Sequence, residues 1–375
     1  MMEATTLITR WSTRGDRKPR LRGVVTTVIC LIVLSLAGTP TASAGPLAYV
    51  TNSGSGNVSV IDTATKAVLT NISVGLTPEQ IAVTPDGTRA YVANGGSNTV
   101  SVIATATNTV TTTIAVGSNP FGVAITPNGA FAYITNQGSS TVSVISTATN
   151  TVVGGPIAVG PSPAGIAITP SGSTVYVANF GSNTVSVIAT ATNTVTTTIA
   201  VGSSPAGIAI TPSGGTVYVT NFNADSVSVI NTATNTVVGS PIAVGSSPAG
   251  IAITPNGLRA YVANFVSNTV SVIDTATNAV VGSPLSVDER PDFLAVSPDG
   301  GSVYVPNQNS NTVSVIATAT NAVVGSPIAI GTAPTGVAFN PVNAPIIPTL
   351  SDSALLFLFV AMAVSLALRI RHTKL

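Results

Sequence analysis

The sequence predicts an all-β fold, a seven-bladed β-propeller, and three observations carry that reading. All seven tyrosines lie in near-identical pentamers: "AYVTN" (48–52), "AYVAN" (90–94), "AYITN" (132–136), "VYVAN" (175–179), "VYVTN" (217–221), "AYVAN" (260–264) and "VYVPN" (303–307). Successive tyrosines are spaced 42, 42, 43, 42, 43 and 43 residues apart, which is the period of a propeller blade. Each unit also divides into four short β-branched segments bounded by Gly, Pro, Asn and Asp, with no helical pattern.

The unit 250–292 shows the four segments, A to D. "GIAIT" is A and the turn "PNG" follows it. "RAYVAN" is B and "TVSVI" is C. "DTATN" then leads into "AVVGSPLSV", which is D. Turns of the type "TPDG" put Pro where its fixed φ fits and Gly where a positive φ is wanted. "TATN" offers Asn as the left-handed residue. Small and β-branched side chains occupy both faces of B and C, as expected when every sheet packs on two neighbours. One tyrosine per blade is then expected to fill the widening gap between sheets.

Segment A occurs at 80–85, 122–127, 165–170, 207–212, 250–255, 293–298 and 336–341. The chain after residue 44 starts directly on segment B, so the first blade lacks its own A. The copy at 336–341 supplies it, and a ring closed by N- and C-terminal strands in one blade is expected. Closure removes sheet edges, and a monomeric propeller follows.

The chain ends carry a different composition. Residues 1–44 read as a signal peptide: Arg10, Arg14, Arg17, Lys18, Arg20 and Arg22, then the apolar "VVTTVICLIVLSLA" (24–37), then "TASA" (41–44). Residues 45–341 form the propeller, 342–353 a linker, and 354–375 a C-terminal transmembrane helix with a basic tail. "ALLFLFVAMAVSLAL" (354–368) precedes Arg369, Arg371 and Lys374, which places the tail in the cytoplasm and the body outside. An exported protein is expected, anchored by its C-terminus and then found at the cell surface or outside the cell.

Two resemblances accompany these readings. The recurring "AITPDG…AYVAN…NTVSVIDTATN" resembles the YVTN β-propeller repeat of surface-layer-type proteins. It implies a seven-bladed ring and export, and no agreed activity. "IPTLSD" (347–352), with Ile347, Pro348, Thr349, Leu350 and Ser351 at its centre, resembles the IPTL-type C-terminal sorting signal. That resemblance implies processing by an exosortase-like transpeptidase at the inner membrane. The sequence departs from it at Ser353 and Ala354, where that family usually has Trp and Gly.

Composition narrows the chemistry. Only 7% of residues are charged. Between residues 45 and 350 lie four basic residues (Lys66, Arg89, Arg259, Arg290) and nine acidic ones, so the body has no basic footprint for nucleic acid. The one histidine is His372 and the one cysteine is Cys30. Zinc, copper and haem sites built on those ligands, and Ser-His-Asp or Cys-His units, are therefore excluded from 45–341. No cofactor and no catalytic residue is expected. A Ca²⁺ site from Asp, Asn and carbonyl oxygens stays open, and with it a carboxylate- or Ca²⁺-dependent enzyme of lactonase or lyase type. The leading expectation is a non-catalytic binding or structural module that meets a surface glycan or protein.

Candidate binding residues are those that break the repeat. Most D–A loops end in "SPAG", but "TPEQ" (77–80) brings Glu79, and "DERPDF" (288–293) brings Asp288, Glu289, Arg290 and Asp292. Both flank blade one, so an acidic patch is expected on one face. The competing reading is a solvated loop with a local Arg290 ion pair. Phe180, Phe222 and Phe265 follow the pentamer in three consecutive blades. They fit either an exposed arc for stacking on sugar rings or a partner, or rings tucked against neighbouring blades.

Overall fold

Seven antiparallel sheets surround a central channel in the computed structural model, which describes residues 46–341. The expected signal peptide, sorting motif and C-terminal helix lie outside the described residues. Among the described residues, no helix is long and apolar enough to cross a membrane. The ring is closed as the repeat predicts. Pro334–Phe339 pairs with Leu47–Asn52 through Ala48↔Phe339, Tyr49↔Ala338, Val50↔Val337 and Asn52↔Pro334. Blade one therefore takes its inner strand from the C-terminal side and its other three from the N-terminal side.

The turns follow the sequence chemistry. In the first A–B turn the Gly87 N–H donates to Thr84 O at 2.8 Å, and Gly87 sits at φ 71°, a conformation that costs glycine little. In six C–D turns an asparagine is left-handed, for example Asn108 at φ 53° and Asn278 at φ 54°, and in blade one Lys66 holds that place at φ 59°.

Three boundaries differ from the sequence reading. Inner strands begin about two residues earlier, at a proline, as in Pro78–Val83 and Pro205–Ile210. Proline has no N–H to offer a ladder, and the first position of a strand needs none. Segment D is one continuous strand only in blades one, two and four, for example Thr194–Ala200. In the other four blades it splits into two-residue pieces such as Thr236–Val237 and Ile242–Ala243, because a Gly-Ser-Pro or Gly-Gly-Pro run lies between them. Blade seven keeps Ala295–Val296 of its inner strand in the ladder, with a separate bridge from Pro291 to Asn307. There Phe293 forms a parallel bridge to Gly336 of blade one instead.

The tyrosines are core residues, none more than 2% exposed. Each ring packs among Val, Ile and Ala of its own blade and the next, as Tyr218 does with Val227, Ile251 and Val262. Their hydroxyls add a latch that packing alone does not require. Tyr49 donates to Asn108 Oδ1, Tyr91 to Asn150 and Tyr176 to Asn235, each at 2.7 Å and each reaching the left-handed asparagine of the following blade. The junction between blades seven and one differs. Lys66 replaces the asparagine, and Tyr304 Oη reaches only Thr63 O at 3.5 Å. Phe339 packs edge-on to the Tyr304 ring there, with centroids 5.2 Å apart.

A second ring of polar residues ties B to C. The asparagine ending each pentamer is fully buried, and its Nδ2 donates to a serine on strand C, as from Asn221 to Ser228 at 2.9 Å.

Candidate functional site

One face of the ring, here called the top, carries the D–A and B–C loops. They are joined by bonds such as Ser53 N–H to Ala333 O at 2.9 Å and Gly54 N–H to Thr332 O at 3.1 Å. The second and third residues of each inner strand stand just below this face, at the channel mouth. In blades four, five and six they are Ala164-Gly165, Ala206-Gly207 and Ala249-Gly250. A Cβ on Gly207 would lie 2.4 Å from Ala249 O, so glycine is what lets adjacent inner strands approach. The other blades break this pattern with Thr335-Gly336, Glu79-Gln80, Phe121-Gly122 and Asp292-Phe293.

Those exceptions converge. Phe293 replaces the small residue of the repeat, and its ring meets Phe121 of blade three edge-on across the channel, with centroids 5.3 Å apart and planes at 70°. Phe293 is also the residue that bridges to Gly336 of blade one. A cavity of about 110 Å³ lies within the channel, lined by Gln80, Phe293 and Gly336 together with Ile166, Ile208 and Ile251. The Gln80 side-chain nitrogen is buried there without a hydrogen-bond partner.

Glu79, Thr335 and Asp292 occupy neighbouring inner strands. The Phe293 N–H donates to Thr335 O at 3.0 Å, and Thr335 Oγ1 donates to Glu79 O at 2.9 Å. Asp292 is 8% exposed. Burial pushes Glu79 up to about 7. Burial, and then the Glu79 charge, hold Asp292 well above the usual carboxylate range. The two acids stand on the inner strands on either side of blade one.

A pH dependence follows. Folded Glu79 binds its proton more tightly than the unfolded residue does, so its contribution is fully present below about pH 4.5 and lost as pH rises through about 7. Above that range the ionised, buried carboxylate costs on the order of 2–3 kcal/mol. Glu79→Gln is expected to melt like the parent near pH 5 and to be more stable by that amount near pH 8. Melting curves at the two pH values check this, and a difference independent of pH would contradict it.

The remaining residues of 288–293 lie higher, on the rim. Asp288 accepts from Thr312 Oγ1 at 2.6 Å, and Glu289 accepts from Asn309 Nδ2. The expected Arg290 ion pair does not form. The ion pair among the described residues is Arg259 with Asp274, at the opposite face. Arg290 instead adopts φ 56° and places its guanidinium over the Phe265 ring, 5.4 Å from the centroid. A cation over a ring face is drawn by the ring quadrupole, whereas Asp288 and Glu289 already accept hydrogen bonds.

Phe180, Phe222 and Phe265 make a continuous arc. Centroids are 6.0 Å apart for each successive pair, with planes tilted by 56° and 53°. Each ring is half-buried, so both sequence readings hold in part: the rings support one another and still present a surface. The acidic loop and the aromatic arc, separate in the sequence, form one band through Arg290.

Phe121, Phe293, Gln80 and Thr335 were not singled out by sequence reasoning. Alignment of the inner-strand copies shows glycine in five of seven at the third position, with Gln80 and Phe293 the exceptions. Among the described residues, no three His, Cys, Asp or Glu side chains group as metal ligands. What the mouth offers chemically is the carboxyl groups of Glu79 and Asp292, both held above the usual carboxylate range by burial.

Comparison with known proteins places this chain. Residues 20–346 match the YNCE-like beta-propeller family model, and the chain belongs to that family. It is similar to hydrazine synthase of Kuenenia stuttgartiensis, at 25% identity over 76% of this chain and 99% of that one, TM-score 0.67. It is similar to a functionally unknown protein of Desulfotomaculum acetoxidans, at 21% identity over 78% and 98%, TM-score 0.68. A candidate 6-phosphogluconolactonase of Bacteroides fragilis shares 16% identity over 80% and 99%, TM-score 0.68, a likeness of fold. No curated protein matches the chain in sequence.

Proposed function

We propose that this chain is an exported, surface-associated propeller that acts as a non-catalytic binding module, with its top face as the binding surface. The observation that carries the reading is convergence. The strongest departures from a nearly uniform repeat meet on one face as a continuous band of Phe180, Phe222, Phe265, Arg290, Asp292 and Glu79. Repeat proteins present binding surfaces where the loops of successive units line up, and aromatic rings half-exposed in an arc suit recognition better than packing. Delivery to the surface rests on the signal-like N-terminus and on the IPTL-type motif with its apolar tail, through an exosortase-like enzyme and the inner membrane. The test is binding of the full chain to glycan and peptide arrays. Phe222→Ala is expected to weaken any ligand about tenfold while melting near the parent. An unchanged affinity would overturn the assignment of the face.

A second reading has its own support. Glu79, held near 7 beside buried Asp292, is suited to general acid–base work. It would make the chain a carboxylate-dependent enzyme. Turnover of a lactone or polyuronate that disappears in Glu79→Gln would favour it over binding alone.

A further inference from the structure

The carboxylate of Asp292 has no structural role that the fold reveals. The residue is 8% exposed, and its hydrogen bond is a backbone one, N–H to Pro306 O at 2.9 Å. None of the side-chain hydrogen bonds among the described residues reaches its oxygens. A carboxylate with no protein donor is left to solvent or to a ligand, and the repeat shows that alanine serves at the same position in three blades. The Gln80 amide nitrogen, also buried and unpartnered, lines the cavity just below. Unpartnered asparagine Oδ1 atoms recur in every blade, whereas Gln80 and Asp292 are polar side chains without a protein partner that stand only here.

Charge is distributed unequally between the two faces. The top carries Glu79, Asp225, Asp288, Glu289 and Asp292 against Arg290 alone, whereas the bottom sets Asp62, Asp86, Asp274 and Asp299 against Lys66, Arg89 and Arg259. Most of the body's negative charge therefore faces one way, and such a field draws cationic partners. A calcium ion needs six to eight oxygen ligands, and no third acid joins Glu79 and Asp292 among the described residues. An ammonium or guanidinium group has three to five donors and is satisfied by fewer acceptors. The Arg290 guanidinium on Phe265 shows that the adjoining ring already accepts such a group.

Resting on the reading of the top face as the binding surface, we infer that its partner is a protein segment presenting a lysine or arginine. The cation enters the channel mouth and is received by Asp292 and Glu79. The apolar neighbours of that residue lie along Phe265, Phe222 and Phe180.

The test is selection of phage-displayed random nonapeptides on the full chain, followed by titration of the enriched peptide. Enriched sequences are expected to share one Lys or Arg flanked by apolar residues. Replacing that residue by norleucine should cost at least tenfold in affinity. Asp292→Asn and Glu79→Gln should each cost tenfold with melting no lower than the parent's, and Phe222→Ala three- to tenfold. Affinity should fall with added salt and rise between pH 6 and pH 8, as the receiving carboxylates ionise. Enrichment of peptides without a basic residue overturns the inference. So does equal binding of the basic peptide by the Asp292→Asn, Glu79→Gln double variant, or a calcium-dependent rise in melting temperature that Asp292→Asn abolishes. Glycan binding lost in Phe222→Ala, with no peptide enriched, would leave the binding face standing and sink the basic segment. Absence of any ligand sensitive to the top-face variants would remove both.

Discussion

Removal of Pro334–Phe339 is expected to abolish cooperative unfolding of the propeller. This strand supplies the inner edge of blade one, and without it the backbone of Leu47–Asn52 is left as an open edge. It also buries Val337 and half-buries Phe339 against the core cluster that joins blades seven and one. Loss of those two side chains alone amounts to roughly 4–6 kcal/mol, comparable with the whole stability of many domains. This junction has little in reserve. Tyr304 lacks the asparagine latch found at the other six junctions, and its ring rests on Phe339, which the deletion removes. The hydrogen bonds from Thr335 to Glu79 O and from Thr51 to Gly336 O would go as well. Calorimetry and sedimentation check the outcome: a broad or absent transition with aggregation is expected. A sharp transition within a few degrees of the parent would show that the ring does not depend on closure.

Tyr218→Ala is expected to cost roughly 3–5 kcal/mol, the range for deleting a large aromatic from a core. The ring is 1% exposed and packs on Val227, Val229, Ile251 and Val262. The substitution would open a cavity between blades five and six that β-branched neighbours fill poorly. Tyr218→Phe separates the hydroxyl from the ring. It removes the bond to Asn278 Oδ1 at 2.5 Å, but Asn278 is exposed and water can replace the phenol. A loss of about 1 kcal/mol is expected. Denaturant titration of the pair checks both, and a cost below about 1 kcal/mol for the alanine variant would show that the tyrosine is not core.

These two variants also show where the sequence was legible. The period, the number of blades, the turn chemistry and the closing strand follow from repetition, because a repeat reports its own register. The tyrosine latch does not. It joins residues about sixty positions apart, as Tyr133 to Asn193, and it depends on which turn of the next blade overhangs the ring. Nor does the aromatic contact across the channel, since Phe121 and Phe293 are related through the hole rather than around the ring. The acidic pair was legible because Glu79 and Asp292 break the same repeat position on either side of blade one. The place of Arg290 was not, because charge patterning suggested an acid where the fold supplied a phenylalanine face. The early start of the inner strands did not show in the apolar pattern, which begins after the proline, although the first ladder position tolerates proline.

The most direct test of the account is to restore the repeat at the site. Blade seven would receive Asp288→Gly, Glu289→Ser, Arg290→Ser, Asp292→Ala and Phe293→Gly, and blade two would receive Glu79→Ala and Gln80→Gly, each the residue found at the equivalent positions of blade six. Array binding of this variant is to be measured beside the parent, with melting as the control. The account predicts a folded ring, at least as stable near pH 8 because two buried carboxyls are gone, that has lost its ligands. A folded variant that binds every ligand as the parent does would contradict the claim that the broken repeat is the binding site.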